Sequence, residues 1–128
     1  MGRKLSTVDI MGTLFEVDAS REELRQKDDA SNRIPFHVFD QEGDGYRFLY
    51  DPQHKNLPAS KKAILEAPEM FCWVIVPALM ELDPEGIAMR YDIPIEVLCP
   101  EDKDRIPKEI NAIIRPVLLS AKLKNSKK

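Results

Sequence analysis

Apolar and polar residues alternate near the start of the chain in the pattern of a β-hairpin. Residues 5–10 and 13–17 are short runs rich in β-branched and aromatic side chains, and Met11-Gly12 separates them. A two-residue loop at this position would place Val8 opposite Phe15, with both side chains on one face. The pattern therefore predicts an opening hairpin.

Three later segments also have the pattern of strands. In residues 46–50 an aromatic side chain recurs at every second position, which indicates a strand with one apolar face. Residues 71–76 are continuously apolar and predict a central strand that is buried on both faces. Apolar residues also alternate over residues 95–99, which predicts a last strand.

Three segments between these strands carry the signals of short helices. Ser20 followed by Glu23 is a capping-box pattern and predicts a helix over residues 21–28. Residues 59–67 are good helix formers that a proline follows, so a second helix should end there. An Asp-Pro pair is a typical helix start and predicts a third helix over residues 84–91.

The end of the chain has the spacing of an amphipathic helix. Pro107 suits a first helical position, and apolar residues then recur three and four positions apart. Pro116 would remove one backbone hydrogen bond and kink this helix. The apolar stripe of the predicted helix consists of Ile110, Ile113, Ile114, Val117 and Leu118.

Together these elements predict an α+β fold. We expect two layers, with about five strands in a mixed, mainly antiparallel sheet and about four short helices. Because 128 residues is close to the commonest size of one domain, we expect a single domain over residues 1–121 and a basic tail over residues 122–128. A hydrophobic content of 43% beside 32% charged residues is ordinary for a globular protein.

Cysteine usage and the lack of targeting signals predict a cytoplasmic protein without a membrane partner. Cys72 and Cys99 each lie in an apolar run, where cysteine usually behaves as a buried, reduced thiol. No stretch reaches the length of about 18 to 20 apolar residues that spans a bilayer. Gly2 and Ser6 fit the loose pattern for N-myristoylation, but the strand predicted directly after Ser6 leaves no free arm.

The strongest apparent motif is an acidic, glycine-containing segment that resembles the spacing of a calcium loop. Such a loop needs oxygen ligands at alternate positions, a glycine at the sixth position and a carboxylate at the twelfth. The pattern departs in the length of two acidic side chains and in its flanks, which do not read as amphipathic helices, so a turn with solvated acids is favoured. The ligands would be Asp40, Glu42, Asp44, the carbonyl of Tyr46, and Asp51.

No catalytic signature accompanies the remaining reactive side chains. The sequence contains no phosphate-binding loop, dinucleotide fingerprint, HExxH or CxxC motif, and we predict no cofactor. A pairing of Cys99 with His54 would be nucleophilic, although a cysteine in an apolar run is more often a packing residue. Asp83, Glu85 and Glu96 could form a metal-dependent hydrolytic cluster, but surface acids are far commoner than catalytic ones.

Charge is unevenly distributed along the chain. Residues 66–104 contain ten acids against Arg90 and Lys103, a net charge of minus eight. Residues 105–128 contain seven bases against Glu109, a net charge of plus six. A field of one sign attracts partners of the other sign, although the two segments could also neutralise each other within one molecule or between two copies.

The sequence therefore favours a non-enzymatic interaction module that binds a protein partner, or a second copy of itself, through the acidic surface or the last helix. A nucleic-acid-binding protein is the first alternative, and a divalent-metal-binding or metal-dependent hydrolytic domain is the second. The nucleic-acid alternative would use the basic residues Arg105, Lys108, Arg115, Lys122, Lys124, Lys127 and Lys128.

Overall fold

The computed structural model of the chain describes residues 4–99 and 107–117. Within these residues, nine strands and four short α-helices form. The strands are β1 (Thr7–Ile10), β2 (Thr13–Asp18), β3 (Glu23–Gln26), β4 (Arg33–Pro35), β5 (Asp40–Glu42), β6 (Gly45–Tyr50), β7 (Cys72–Val76), β8 (Glu109–Asn111) and β9 (Ile113–Pro116). The helices are α1 (Lys61–Glu66), α2 (Leu79–Leu82), α3 (Pro84–Tyr91) and α4 (Ile95–Leu98).

The strands form two sheets that share one core. One sheet has the order β4-β3-β2-β1-β8 and the other has the order β5-β6-β7-β9. All pairs are antiparallel except β1 with β8. The chain passes from one sheet to the other three times: through a 3-10 turn between β4 and β5, between β7 and β8, and through Ala112 between β8 and β9. The predicted α+β class is confirmed, with nine described strands in two sheets where the sequence predicted about five in one.

The opening hairpin is confirmed in its register. Val8 lies opposite Phe15, and the two-residue loop is Met11-Gly12. Both loop residues have positive φ, 52° at Met11 and 91° at Gly12, which is the backbone that matches the twist of a tight hairpin. Val8 and Phe15 are fully buried, so the hairpin places one face of each strand in the core.

Aromatic side chains fill the core between the sheets. Phe48 is buried and stacks on Phe39 with ring centroids 4.6 Å apart, while Tyr50 meets Phe15 edge to face at 6.3 Å. Burial raises the pKa of Tyr50 to about 12. Apart from Cys72, the remaining core residues are aliphatic side chains from the inner faces of both sheets and from α2: Val8, Ile10, Val17, Leu24, Ile34, Val74, Val76 and Leu82.

The helix predicted over residues 21–28 is wrong, since this segment contains β3. Leu24 is fully buried between Val17 of β2 and Ile34 of β4, where a strand gives its side chain core contacts on both sides. Glu22 has φ 57°, which starts β3 from a turn and cannot continue a right-handed helix. The apparent capping box is therefore part of a turn between two strands.

The predicted last helix is also wrong, because residues 109–116 form β8 and β9. Ile110 lies opposite Val8, and Ile114 lies opposite Val74, so two residues of the predicted stripe face core strands of different sheets. The kink predicted at Pro116 has no helix in which to occur, since Pro116 ends β9 on a sheet edge.

Two further predictions need correction in detail. The strand predicted over residues 95–99 is helix α4, which closes locally when the Pro94 carbonyl accepts from the Val97 and Leu98 amides. The central strand β7 is not buried on both faces, because Trp73 and Ile75 are only half-buried. The helices predicted over residues 59–67 and 84–91 are confirmed as α1 and α3.

No helix among the described residues has the length and apolar character needed to cross a bilayer.

Candidate functional site

The isoleucines proposed as anchors lie on strands at the end of each sheet. Ile110 is half-buried against the core, whereas Ile113 is 53% exposed and Ile114 is 38% exposed. Val117 follows β9, and Leu118 lies outside the described residues. The docking helix is therefore wrong as a structure, and a contact between these side chains and a partner stays a prediction.

The basic residues of the nucleic-acid alternative are only partly described. Lys108 pairs with Glu81 of α2, with 3.3 Å between Nζ and Oε2. Arg115 lies opposite Trp73 in the β7–β9 pair, and the Arg47 guanidinium lies 4.4 Å from the centroid of the Trp73 ring. Outside the described residues lie Arg105, Lys122, Lys124, Lys127 and Lys128.

The apparent calcium loop is a tight hairpin between β5 and β6. Gly43 has φ 59°, and a side chain at Gly45 would collide with the Val76 carbonyl, so the hairpin explains both glycines. Asp51 lies beyond the far end of the extended strand β6, where its carboxylate contacts the His54 ring at 2.6 Å. The extended strand thus separates Asp51 from the acids of the turn, and no group of three or more metal-ligating side chains converges among the described residues.

The candidate hydrolytic and nucleophilic residues occupy separate structural positions. Glu85 and Glu96 are exposed in the first turns of α3 and α4. Cys99 is a buried thiol after α4, while the His54 side chain is 70% exposed beside Asp51. Cys72 is also buried, and burial raises the pKa of its thiol.

Asp83 fixes the helical region to the sheets. Its carboxylate is almost fully buried, and Oδ1 accepts from the Gly86 amide at 3.0 Å as the N-cap of α3. The other oxygen, Oδ2, accepts from the Ala19 amide at 2.7 Å, at the end of β2. One carboxylate therefore satisfies a helix terminus and a strand end together, which fixes where α3 begins.

The C-terminus of α3 turns the chain sharply toward α4. The Ile93 amide donates to the Ala88 carbonyl at 2.9 Å, and the Asp92 amide donates to Met89 at 3.3 Å, which is a Schellman arrangement. The residue at its left-handed position, Asp92, has φ 56° where glycine is usual. Pro94 then prevents α3 from continuing, so α4 begins as a separate turn that packs against α3.

This turn leaves an unusual concentration of apolar side chains on the outside, which we call the α3–α4 surface. It consists of four large side chains within nine residues, and they alternate with the exposed acids Asp92 and Glu96. Single exposed apolar residues are normal, but four of them within one segment of nine residues mark a candidate interaction site. Their exposed fractions are 56% for Met89, 65% for Tyr91, 36% for Ile93 and 71% for Val97.

A cleft of about 260 Å³ adjoins the α3–α4 surface at Tyr91. Ile87 and Tyr91 line it from α3, one helical turn apart. An ion pair joins the two sides of the cleft, since Nη2 of Arg90 lies 2.8 Å from Oε2 of Glu22. The half-buried side chains in its wall are Phe36, Tyr46, Leu79 and Ile87.

Sequence reasoning missed the α3–α4 surface, although one signal was present. Residues 89–97 hold five large apolar side chains, the four exposed ones and half-buried Ile95, yet Pro94 divides them into segments too short to bury a continuous stripe. The strand predicted over residues 95–99 contains Val97, and the helix predicted over residues 84–91 contains Met89 and Tyr91. Five large apolar residues in so short a segment indicate more apolar surface than the segment can bury.

Comparisons of the chain with protein-family models, curated protein sequences and solved structures find no match. The geometry of the chain's own residues therefore carries the functional argument.

Proposed function

We propose that this protein is a non-enzymatic interaction module that binds a basic, amphipathic segment of a partner protein on the α3–α4 surface. The observation that carries the proposal is the exposure of Met89, Tyr91, Ile93 and Val97 on α3, on α4 and between them. A buried carboxylate holds the start of α3, and α4 packs against α3. Covering such side chains removes apolar area from water, at about 25 cal/mol for each Å². A fixed helical support lowers the ordering cost of binding.

The charge around the surface selects the occupant. Residues 79–99 contain five acids and Arg90 alone as a base, a net charge of minus four. Arg90 already pairs with Glu22, so the exposed carboxylates Asp92 and Glu96 set the local field. An acidic surface speeds encounter with a basic partner and disfavours an acidic one. A basic segment with one apolar face matches both properties of this surface.

Binding of a labelled amphipathic lysine–leucine peptide tests the proposal. We expect a fluorescence anisotropy titration to show binding that weakens with salt, because exposed charges are screened. A peptide of the same composition with a scrambled order has no apolar face, and we expect it to bind at least about tenfold more weakly. Equal binding of the two peptides, or no binding of either, would overturn the proposal.

A matched pair of variants locates the binding. Val97→Asp replaces the most exposed apolar side chain of the α3–α4 surface with a charge, and we expect it to reduce the affinity about tenfold although it adds an attractive negative charge. Leu65→Asp adds the same charge on α1, where Leu65 is 42% exposed, and should leave the affinity unchanged. Equal effects of the two variants would show that binding depends on net charge alone.

The same anisotropy titration distinguishes the proposed peptide binding from the nucleic-acid alternative. A labelled single-stranded oligonucleotide replaces the peptide, because Trp73 with Arg47 and Arg115 is the described group best suited to base stacking. We expect the peptide to bind more tightly than the oligonucleotide. Tighter oligonucleotide binding that Trp73→Ala removes and Val97→Asp leaves intact would replace the proposal with that alternative.

A further inference from the structure

We infer that the cleft beside α3 receives one aromatic or large aliphatic side chain of the partner segment and acts as its anchor pocket. This inference rests on the proposed function and specifies how the same site recognises its partner. The volume of the cleft, about 260 Å³, lies below the range of about 300 to 1,000 Å³ that is usual for small-molecule sites. A single side chain is therefore the better match than a substrate or cofactor.

The position of the cleft makes it continuous with the α3–α4 surface. Tyr91 belongs to both, and Ile87 lies one turn before it on the same helix. A segment that covers Tyr91 can therefore place a neighbouring side chain between Tyr46 and Leu79 without leaving the surface. Interfaces commonly concentrate their binding energy in such anchors, which are enriched in tryptophan and tyrosine.

The ion pair across the cleft indicates what should stand next to the anchor. The Glu22 and Arg90 side chains are 51% and 40% exposed, and exposed pairs contribute little to stability, so this pair can exchange partners at small cost. A lysine or arginine beside the anchor could then pair with Glu22. The partner segment would present a large apolar residue followed closely by a basic one.

The turn that starts β3 sets the position of Glu22 at the cleft. Glu22 has φ 57°, a conformation in which glycine is less strained, and its carbonyl is held by the Phe36 amide at 2.9 Å. Here the turn directs the Glu22 carboxylate toward Arg90 at the cleft.

Two peptides that differ at one position test the inference. The central leucine of the lysine–leucine peptide is replaced by tryptophan in one and by alanine in the other. We expect the tryptophan peptide to bind about tenfold more tightly, because only its side chain fills the cleft. Equal affinities of the two peptides would overturn the anchor pocket and leave the proposed function standing. Failure of both to bind would overturn the proposed function and the inference with it.

Filling the cleft supplies the matched control. Ala78→Leu adds bulk to a lining residue, and we expect it to abolish the preference for tryptophan while the alanine peptide binds as before. Ala59→Leu makes the same change at an exposed residue outside the cleft and should keep the preference. The inference would be contradicted if Ala78→Leu kept the preference for tryptophan, or if it weakened the binding of both peptides equally.

A measurement without substitutions covers the case in which Ala78→Leu does not fold. Titration of the unchanged protein with N-acetyltryptophanamide should shift the amide resonances of Ala19, Leu79 and Ile87 in a heteronuclear NMR spectrum. Amide shifts that are spread over the whole protein surface, or confined to residues away from the cleft, would overturn the assignment of the cleft as an anchor pocket.

Discussion

The core between the sheets and the α3–α4 surface use similar side chains in opposite ways. Phe48 and Val74 are at most 1% exposed, whereas Tyr91 and Val97 are 65% and 71% exposed. The core residues lie on strands whose faces another sheet covers. Tyr91 lies on α3, whose start the Asp83 carboxylate holds, and Val97 lies on α4. No second layer covers these two residues within the described part of the chain. Apolar side chains therefore stabilise the fold in one region and remain available for contact in the other.

The largest expected effect is a loss of stability when the core is truncated. Phe48→Ala should lower the free energy of unfolding by about 3 to 5 kcal/mol, because it leaves a cavity between the sheets. Val97→Ala should change it by less than about 0.5 kcal/mol, since that side chain is already in water. Urea unfolding measures both. A loss above about 1 kcal/mol for Val97→Ala would show that the α3–α4 surface packs against something in the folded chain.

An intermediate effect is expected at the carboxylate that joins the two regions. Asp83→Asn should lower the free energy of unfolding by about 2 kcal/mol, because one amide group of asparagine must face a backbone N–H instead of accepting from it. Hydrogen exchange at the Ala19 and Gly86 amides should become faster. Glu96→Gln is the control, since it makes the same chemical change at an exposed helical residue. It should change the free energy of unfolding by less than about 0.5 kcal/mol. Equal effects would mean that Asp83 does not hold the helices.

The smallest expected effect has the opposite sign. Asp92→Gly should raise the free energy of unfolding by up to about 1 kcal/mol, because glycine adopts the left-handed conformation without strain. The same variant should weaken binding of the lysine–leucine peptide, since it removes a carboxylate of the surface. Lys55 has φ 56° and lies away from the helices. Lys55→Gly should stabilise the protein by a similar amount and leave the affinity for the peptide unchanged. Stronger peptide binding by Asp92→Gly would contradict the charge argument.

Local chemistry accounts for the elements that sequence reasoning identified. The hairpin loop at Met11-Gly12 and the N-cap at Asp83 each depend on a few neighbouring residues. β3 was missed because Ser20 and Glu23 fit a helix start as well as a turn, and only the contacts of Leu24 with two neighbouring strands distinguish them. The α3–α4 surface was missed because exposure depends on what covers a residue, which periodicity does not report.

The last strands show the same limit most clearly. Ile110, Ile113 and Ile114 have helical spacing, yet Ile110 and Ile114 face core strands of different sheets while Ile113 lies opposite half-buried Ile75. At Ala112 the chain passes from one sheet to the other, which separates Ile110 from the other two isoleucines. This passage depends on contacts that are distant in sequence, because β8 pairs with β1 from the other end of the chain.

By itself, the sequence determined the α+β class, the turns and caps that neighbouring residues encode, and the acidic character of residues 66–104. The tertiary structure decided which apolar residues became core and which formed the α3–α4 surface and its cleft. The physical reason is range: torsional preferences and capping hydrogen bonds act over a few residues, whereas burial depends on which distant strands and helices meet.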